Sequence, residues 1–149
     1  MLTAQDYPGQ SATASQILQL ADEYRKAAQA LVQQGRRGAP LSWAPCRLAA
    51  IQAIELYLNA LLLHIGLEAS AIRGMQHNLA KRTDQATAAG LKLRKRTAAH
   101  LTAMEGSREY LVTRYGPEMT GTVSQINRLI ASLEEVAAKV TEIVSKNRR

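Results

Sequence analysis

The chain has 149 residues, of which 46% are hydrophobic and 21% are charged, a composition typical of one globular domain. A single cysteine excludes an internal disulfide, and the small set of one tryptophan and five tyrosines argues against modules that stack bases on an aromatic sheet. The 19 basic and 12 acidic residues give a net charge of +7, which favours anionic partners.

Apolar residues recur at helical spacing from the first predicted element onward, and no strand pattern is visible. Residues 1–14 are small and polar and predict a flexible N-terminal arm. The first helix is predicted over 15–34, with Ser15 as its N-cap and Gly35 supplying a positive φ after its last turn. Its apolar stripe is expected to comprise Ile17, Leu20, Ala21, Tyr24, Ala27, Ala28 and Leu31.

The second helix is predicted to begin after Ser42 and to end at Gly66. It is apolar on most of its circumference, as expected for a helix that neighbours surround. Polar residues interrupt its most apolar stretch, 48–65, so a buried helix is favoured over a membrane span. The first fifteen residues lack the pattern of a signal peptide, and we expect a cytoplasmic protein without membrane attachment.

The remaining sequence predicts a short helical turn over 68–73, a small-residue helix over 78–89, a longer helix over 92–115 that Gly106 could bend, and a strongly periodic helix from 122 onward. Together these elements predict a single all-α domain over 15–145, an up-and-down bundle of four or five helices. Residues 146–149 form a basic tail.

The positive charge is concentrated in residues 71–100, where seven basic residues face one acid, Asp84, for a net charge of +6. This window favours either a solvated basic face or a surface that binds phosphates. Its basic residues are Arg73, Lys81, Arg82, Lys92, Arg94, Lys95 and Arg96.

No metal or cofactor is expected, because the cysteine and the three histidines are not spaced as ligand pairs and the glycines do not form a phosphate-binding loop. Cys46 lies close to a predicted helix N-terminus, which could lower the pKa of its thiol. Glu55 and His64, nine residues apart on the second helix, are interpreted as an interior polar pair.

One arrangement suggests catalysis. Arg94 and His100 are separated by five residues, and an Arg beside a His of near-neutral pKa is what metal-independent RNA cleavage requires. The Arg would stabilise charge that develops on the phosphate, and the His would move protons to and from the ribose and leaving oxygens.

Three segments resemble HEPN domains, the nucleotide-binding family of higher eukaryotes and prokaryotes. Residues 49–66 are similar to the family's "AIE-x-x-LKALL…G" helix, Gln76-His77-Asn78-Leu79 to its Gly-His-Asp-Leu segment, and 110–115 to its Tyr-x-x-x-Arg-Tyr ending. The resemblance covers 45–145. It implies an HEPN-like helical bundle that forms a homodimer and works in a bacterial toxin–antitoxin, defence or stress system.

Ribonuclease members of the family carry an Arg-x(4–6)-His motif, which Arg94 and His100 fit in spacing, although Lys95 stands where a polar Asn, Asp or His is common. The His77 segment and the Arg114-Tyr115 ending resemble the branch without the nuclease motif, so a non-catalytic nucleotide- or RNA-associated binding module is favoured. A structural partner of a nucleotidyltransferase, or of an antitoxin, is a further alternative. The expected ligand-binding residues are Arg73, His77, Lys81, Arg82, Arg96, Arg114 and Tyr115.

Overall fold

The computed structural model describes residues 7–146, so parts of the predicted arm (1–6) and of the basic tail (147–149) lie outside it. The described residues form seven α-helices and no β-strand, which confirms the all-α bundle. Five of the helices have ten residues or more. The helices are α1 (Ala14–Leu31), α2 (Ala44–His64), α3 (Ala69–Gly74), α4 (Leu79–Ala88), α5 (Lys95–Gly106), α6 (Glu109–Tyr115) and α7 (Ile126–Lys146).

Helix α2 is the centre of the bundle and packs against both α1 and α7. It runs antiparallel to α1, because the Cys46 thiol near its start donates to the Ala28 carbonyl at 3.3 Å and the Tyr57 hydroxyl farther along donates to Asp22. Pro40–His64 is long and apolar enough to span a membrane, but 78% of its most apolar window is buried inside the bundle. The apolar character of α2 is therefore explained by its central position.

Helix α1 packs on the core through four of the seven predicted stripe residues, Ile17, Ala21, Ala28 and Leu31. Its N-cap is Thr13, which forms a capping box with Gln16, and not Ser15. Ala21 and Ala28 are fully buried and let α1 approach α2 closely, whereas Leu20 is 44% exposed and Tyr24 is also exposed. The predicted stripe was wrong at these two positions and at Ala27, which is also exposed, whereas Leu18, outside the predicted stripe, is buried in the core.

Gly35 serves close packing and not a left-handed cap. Its φ is −71°, in the extended region, so the predicted positive φ is wrong. A Cβ at position 35 would overlap the indole ring of Trp43, which packs directly on the glycine backbone. The 3-10 turns over Val32–Gln34 and Pro40–Trp43 bring the two residues together.

The predicted helix over 92–115 is divided into α5 and α6. Helix α5 ends at Gly106, close to the predicted bend, and Arg108 with φ +53° precedes α6. The break places the Glu109 carboxylate inside the bundle, where it is 1% exposed. Helix α6 ends at Tyr115, as the Gly116-Pro117 pair predicted.

Candidate functional site

The structure distributes the predicted site residues over three separate surfaces. The first is the "cationic groove" between α5 and α7, which is lined by Arg94 and Arg96. The second is the "Glu55 cavity" beside α2 and α3, which is lined by Arg73, His77 and Arg82. Arg114 and Tyr115 line a third, smaller pocket. Lys81 lies exposed on α4 and outside all three.

The cationic groove encloses about 660 Å³ along the N-terminal half of α5 and the middle of α7. Arg94, Lys95 and Arg96 are consecutive and exposed on one side, and Arg128 and Lys139 of α7 line the other. The sequence analysis missed both α7 residues. Their separation of eleven residues, close to three helical turns, places them on one helix face and is the signal that could have indicated them.

Two glutamates also line the groove, and both are already partnered within the protein. Glu134 accepts from Arg25 Nε at 2.7 Å and from Arg25 Nη2 at 2.6 Å, and these bonds lower its pKa. Burial by itself would raise the pKa of Glu135, but hydrogen bonds outweigh it and lower the pKa to about 2. The donors to Glu135 are Lys139 Nζ at 2.8 Å, Thr97 Oγ1 at 2.6 Å and the Arg94 backbone N–H at 2.7 Å.

The three basic side chains at the start of α5 have no such partners. Among residues 7–146, no carboxylate forms an ion pair with Arg94, Lys95 or Arg96. Arg128 donates only to neutral hydroxyls, to Thr97 at 3.1 Å and to Ser132 at 3.4 Å. The groove therefore holds four guanidinium or ammonium groups whose charge is not neutralised within the described part of the chain.

His100 lies inside the bundle and not in the groove. It is 7% exposed, its Nδ1 lies 2.7 Å from Ser132 Oγ, and its Nε2 lies 2.9 Å from Ser124 Oγ. Because Ser124 donates its hydroxyl to Glu109 at 3.0 Å, it accepts from His100, so the proton of the neutral ring is on Nε2. Burial lowers the pKa of His100.

The two residues of the predicted nuclease motif are thus not brought together on one surface. Arg94 lines the groove with an exposed side chain, while both ring nitrogens of His100 are bonded to serines in the interior. A proton-transfer role requires an imidazole that reaches the substrate. The structure gives His100 the position of a structural hydrogen-bonding residue.

The Glu55 cavity encloses about 580 Å³ and unites three residues that the sequence analysis selected separately. Arg82 is only 2% exposed, and all three of its nitrogens donate internally: Nε to Asn59 Oδ1 at 2.7 Å, and Nη1 and Nη2 to the carbonyls of Asn78 and Ile72 at 3.3 Å. Burial lowers the pKa of Arg82. Its predicted role as a phosphate contact is therefore replaced by anchoring the loop between α3 and α4.

Glu55 pairs with His77, a residue that the predicted interior pair did not include. His77 Nδ1 lies 3.0 Å from Glu55 Oε1, and the imidazole stacks at 5.0 Å on the ring of Tyr110. Gln76, just before it, also lines the cavity and has φ +52°, a left-handed conformation that is unusual for a residue other than glycine. Asn78 then caps α4 by accepting from the Lys81 backbone N–H at 2.9 Å.

Arg114 and Tyr115 do not share a cleft with His77, contrary to the predicted arrangement. They line a pocket of about 210 Å³ together with Pro40, Leu41 and Arg47, and Tyr115 is 75% exposed. The position of the chain after α6 explains this result, because the 3-10 turn over Pro117–Thr122 contacts the 3-10 turn at Pro40–Trp43.

The chain offers no reactive thiol and no metal cluster in its described part. Burial raises the pKa of Cys46, in contrast to the predicted influence of a helix N-terminus. Residues 7–146 contain no group of three His, Cys, Asp or Glu side chains that could hold a metal ion.

Comparisons of the chain with family models, with curated proteins and with solved structures find no match.

Proposed function

We propose that this protein is a non-catalytic RNA-binding module of HEPN-like type that holds the phosphate backbone in the cationic groove. The observation that carries the proposal is the set of three adjacent, exposed basic side chains, Arg94, Lys95 and Arg96, without ion-pair partners among the described residues. Arg128, on the opposite wall, adds a fourth positive charge.

The groove suits a polyanion better than a single small anion. Three of its basic side chains are exposed at the start of α5 and half-buried Arg128 lies on α7, so several phosphates along a strand could be contacted at once. Each neutralised phosphate releases condensed counterions, which supplies affinity without base recognition. The two glutamates of the groove oppose binding less than their number suggests, because Arg25 and Lys139 already neutralise them.

The loop before α4 supports the family resemblance on which the HEPN-like part of the proposal rests. Gln76 adopts a left-handed conformation at the position where the family's Gly-His-Asp-Leu segment has glycine, the residue best suited to positive φ. Asn78 provides the side-chain cap that the family's aspartate would provide. We also propose, as the resemblance implies, that the protein forms a homodimer and works in a bacterial toxin–antitoxin, defence or stress system.

The ribonuclease alternative is weaker, because His100 is buried and bonded at both ring nitrogens. An active nuclease of this type would require the imidazole to leave Ser124 and Ser132. We therefore expect RNA to remain intact when it is incubated with the protein in EDTA.

The test is the salt dependence of binding to a short, labelled single-stranded RNA, measured by fluorescence anisotropy between about 50 and 200 mM salt. We expect affinity to fall steeply with salt, and the double variant Arg94→Gln/Arg96→Gln to reduce the log–log slope by about 1.4, near 0.7 for each lost phosphate contact. Arg36→Gln/Arg37→Gln removes two exposed charges from the loop before α2 and is the matched control.

Equal binding by the double variant and the control would overturn the assignment to the groove. Salt-independent binding would overturn the phosphate-backbone mode of recognition. No binding at low salt would overturn the RNA-binding function itself and favour a structural partner protein.

A further inference from the structure

We propose that the Glu55 cavity is a second binding site, for an amphipathic monoanion: an aliphatic carboxylate with its head on Arg73 and its chain along the apolar wall. The site is separate from the cationic groove and does not depend on RNA binding.

In this proposal Arg73 binds the carboxylate group of the ligand. Its guanidinium is half-buried at the cavity and is held by two uncharged groups, the Tyr7 ring at 4.1 Å and Gln10 Oε1 at 3.0 Å. Within the described residues no carboxylate pairs with it. A carboxylate in the place of the Gln10 amide could accept two hydrogen bonds from the Arg73 guanidinium. Because both groups would then be charged, this contact would be stronger than the present one to an uncharged amide.

The charge of the lining favours one negative charge on the ligand. Two guanidinium groups, of Arg73 and Arg82, and one carboxylate, of Glu55, line the cavity. Arg82 directs all three of its nitrogens to internal acceptors and is next to the negative charge of Glu55, so neither group is available to a ligand. Arg73 is left as the single unbalanced charge, which suits a carboxylate better than a phosphate dianion.

The lining of the cavity also includes an apolar wall. Helices α1, α2 and α3 contribute to it, and Leu20 is 44% exposed there although it is a large aliphatic residue. Burying each methylene of a ligand against such a surface strengthens binding about fourfold. The wall consists of Ile17, Leu20, Leu56, Leu63 and Ile72.

The volume of the cavity, about 580 Å³, lies within the range of small-molecule sites. The segment Tyr7–Gln10 covers its edge at Arg73, so the ligand head would take the place of the Gln10 amide without breaking an internal ion pair. This geometry gives an anion an entry to Arg73 at the cost of one hydrogen bond to an uncharged acceptor.

The test uses isothermal titration calorimetry of the full chain with octanoate, octanol and octylamine, which share one chain length and differ in head charge. We expect octanoate to bind with one-to-one stoichiometry and about tenfold or more tighter than the alcohol, with no detectable binding of the amine. Arg73→Gln should reduce octanoate affinity to that of octanol, and Leu20→Gln should weaken octanoate and octanol alike.

Arg96→Gln, which removes a charge from the cationic groove, is the matched control and should leave octanoate affinity unchanged. Equal affinity for octanoate and octanol would overturn the proposal, as would unchanged binding by Arg73→Gln or an equal loss in Arg96→Gln. Octyl phosphate binding more tightly than octanoate would overturn the monoanion assignment. Arg73→Gln should retain salt-dependent RNA binding, so the two proposals fail independently, and circular dichroism verifies that each variant is folded.

Discussion

Glu109 receives two hydrogen bonds from Ser124, one from its backbone N–H at 2.6 Å and one from its hydroxyl at 3.0 Å. The pair joins the start of α6 to the segment before α7, two residues ahead of that helix. It also fixes the direction of the Ser124 hydroxyl that accepts from His100. Arg47 on α2 lies 3.8 Å from the same carboxylate. A buried polar network of this kind is stable only while every member keeps its partners.

We expect Glu109→Gln to lower the free energy of unfolding by about 3–5 kcal/mol, because it leaves the charge of Arg47 buried without a counter-ion. Urea unfolding followed by circular dichroism measures the change. The control is Glu142→Gln, which removes an exposed partner of Lys146 and should cost less than about 0.5 kcal/mol. Similar losses in the two variants would show that Arg47 does not depend on Glu109.

His100 should make the protein acid-sensitive. Burial lowers the pKa of His100 in the folded state. Below its unfolded pKa of about 6.5 the unfolded chain therefore binds more protons than the folded protein, and stability decreases as the pH is lowered. The slope from this group reaches at most about 1.4 kcal/mol per pH unit. His100→Asn should be less stable at pH 7 but lose less stability between about pH 7 and 5 than the unaltered protein. Parallel curves for the two proteins would contradict the assignment.

Glu135 should also make stability depend on pH, in a more acidic range than His100. Its folded pKa of about 2 is below its ordinary value of 4.5, so its contribution is fully present above about pH 4.5 and is lost as pH falls toward 2. The shift corresponds to about 3 kcal/mol. Glu135→Gln should therefore be destabilised by an amount of that order at pH 7, and by progressively less in unfolding measurements from pH 5 downward. A difference independent of pH would assign the loss to packing.

Gln76→Gly should stabilise the protein by about 0.5–1 kcal/mol, because glycine adopts the φ of +52° at this position without steric strain. Thermal unfolding monitored by circular dichroism measures the change. Gly66→Ala is the reciprocal control, since Gly66 has φ +101° and alanine there should be destabilising. If Gln76→Gly is destabilising, the glutamine side chain makes a contribution that outweighs its backbone strain.

Part of the site could be predicted from the sequence because charge composition is a local property. The excess of basic residues in 71–100 identified Arg94 and Arg96, and both lie in the groove that carries the proposed function. The composition could not tell these exposed residues from Arg82, because the burial of Arg82 depends on Asn59 of a helix twenty-three residues earlier.

The sequence by itself determined the helical class, the central position of α2, the presence of a helix at α4 and the end of α6 before Pro117. Periodicity, capping and proline geometry act over a few neighbouring residues, so they can be identified without knowing how the helices pack. The tertiary structure alone decided that Glu55 meets His77, that α7 supplies Arg128 to the groove, and that His100 is enclosed by two serines. These pairings depend on the rotation and contact of helices distant in the chain, which side-chain volumes across the whole core fix together.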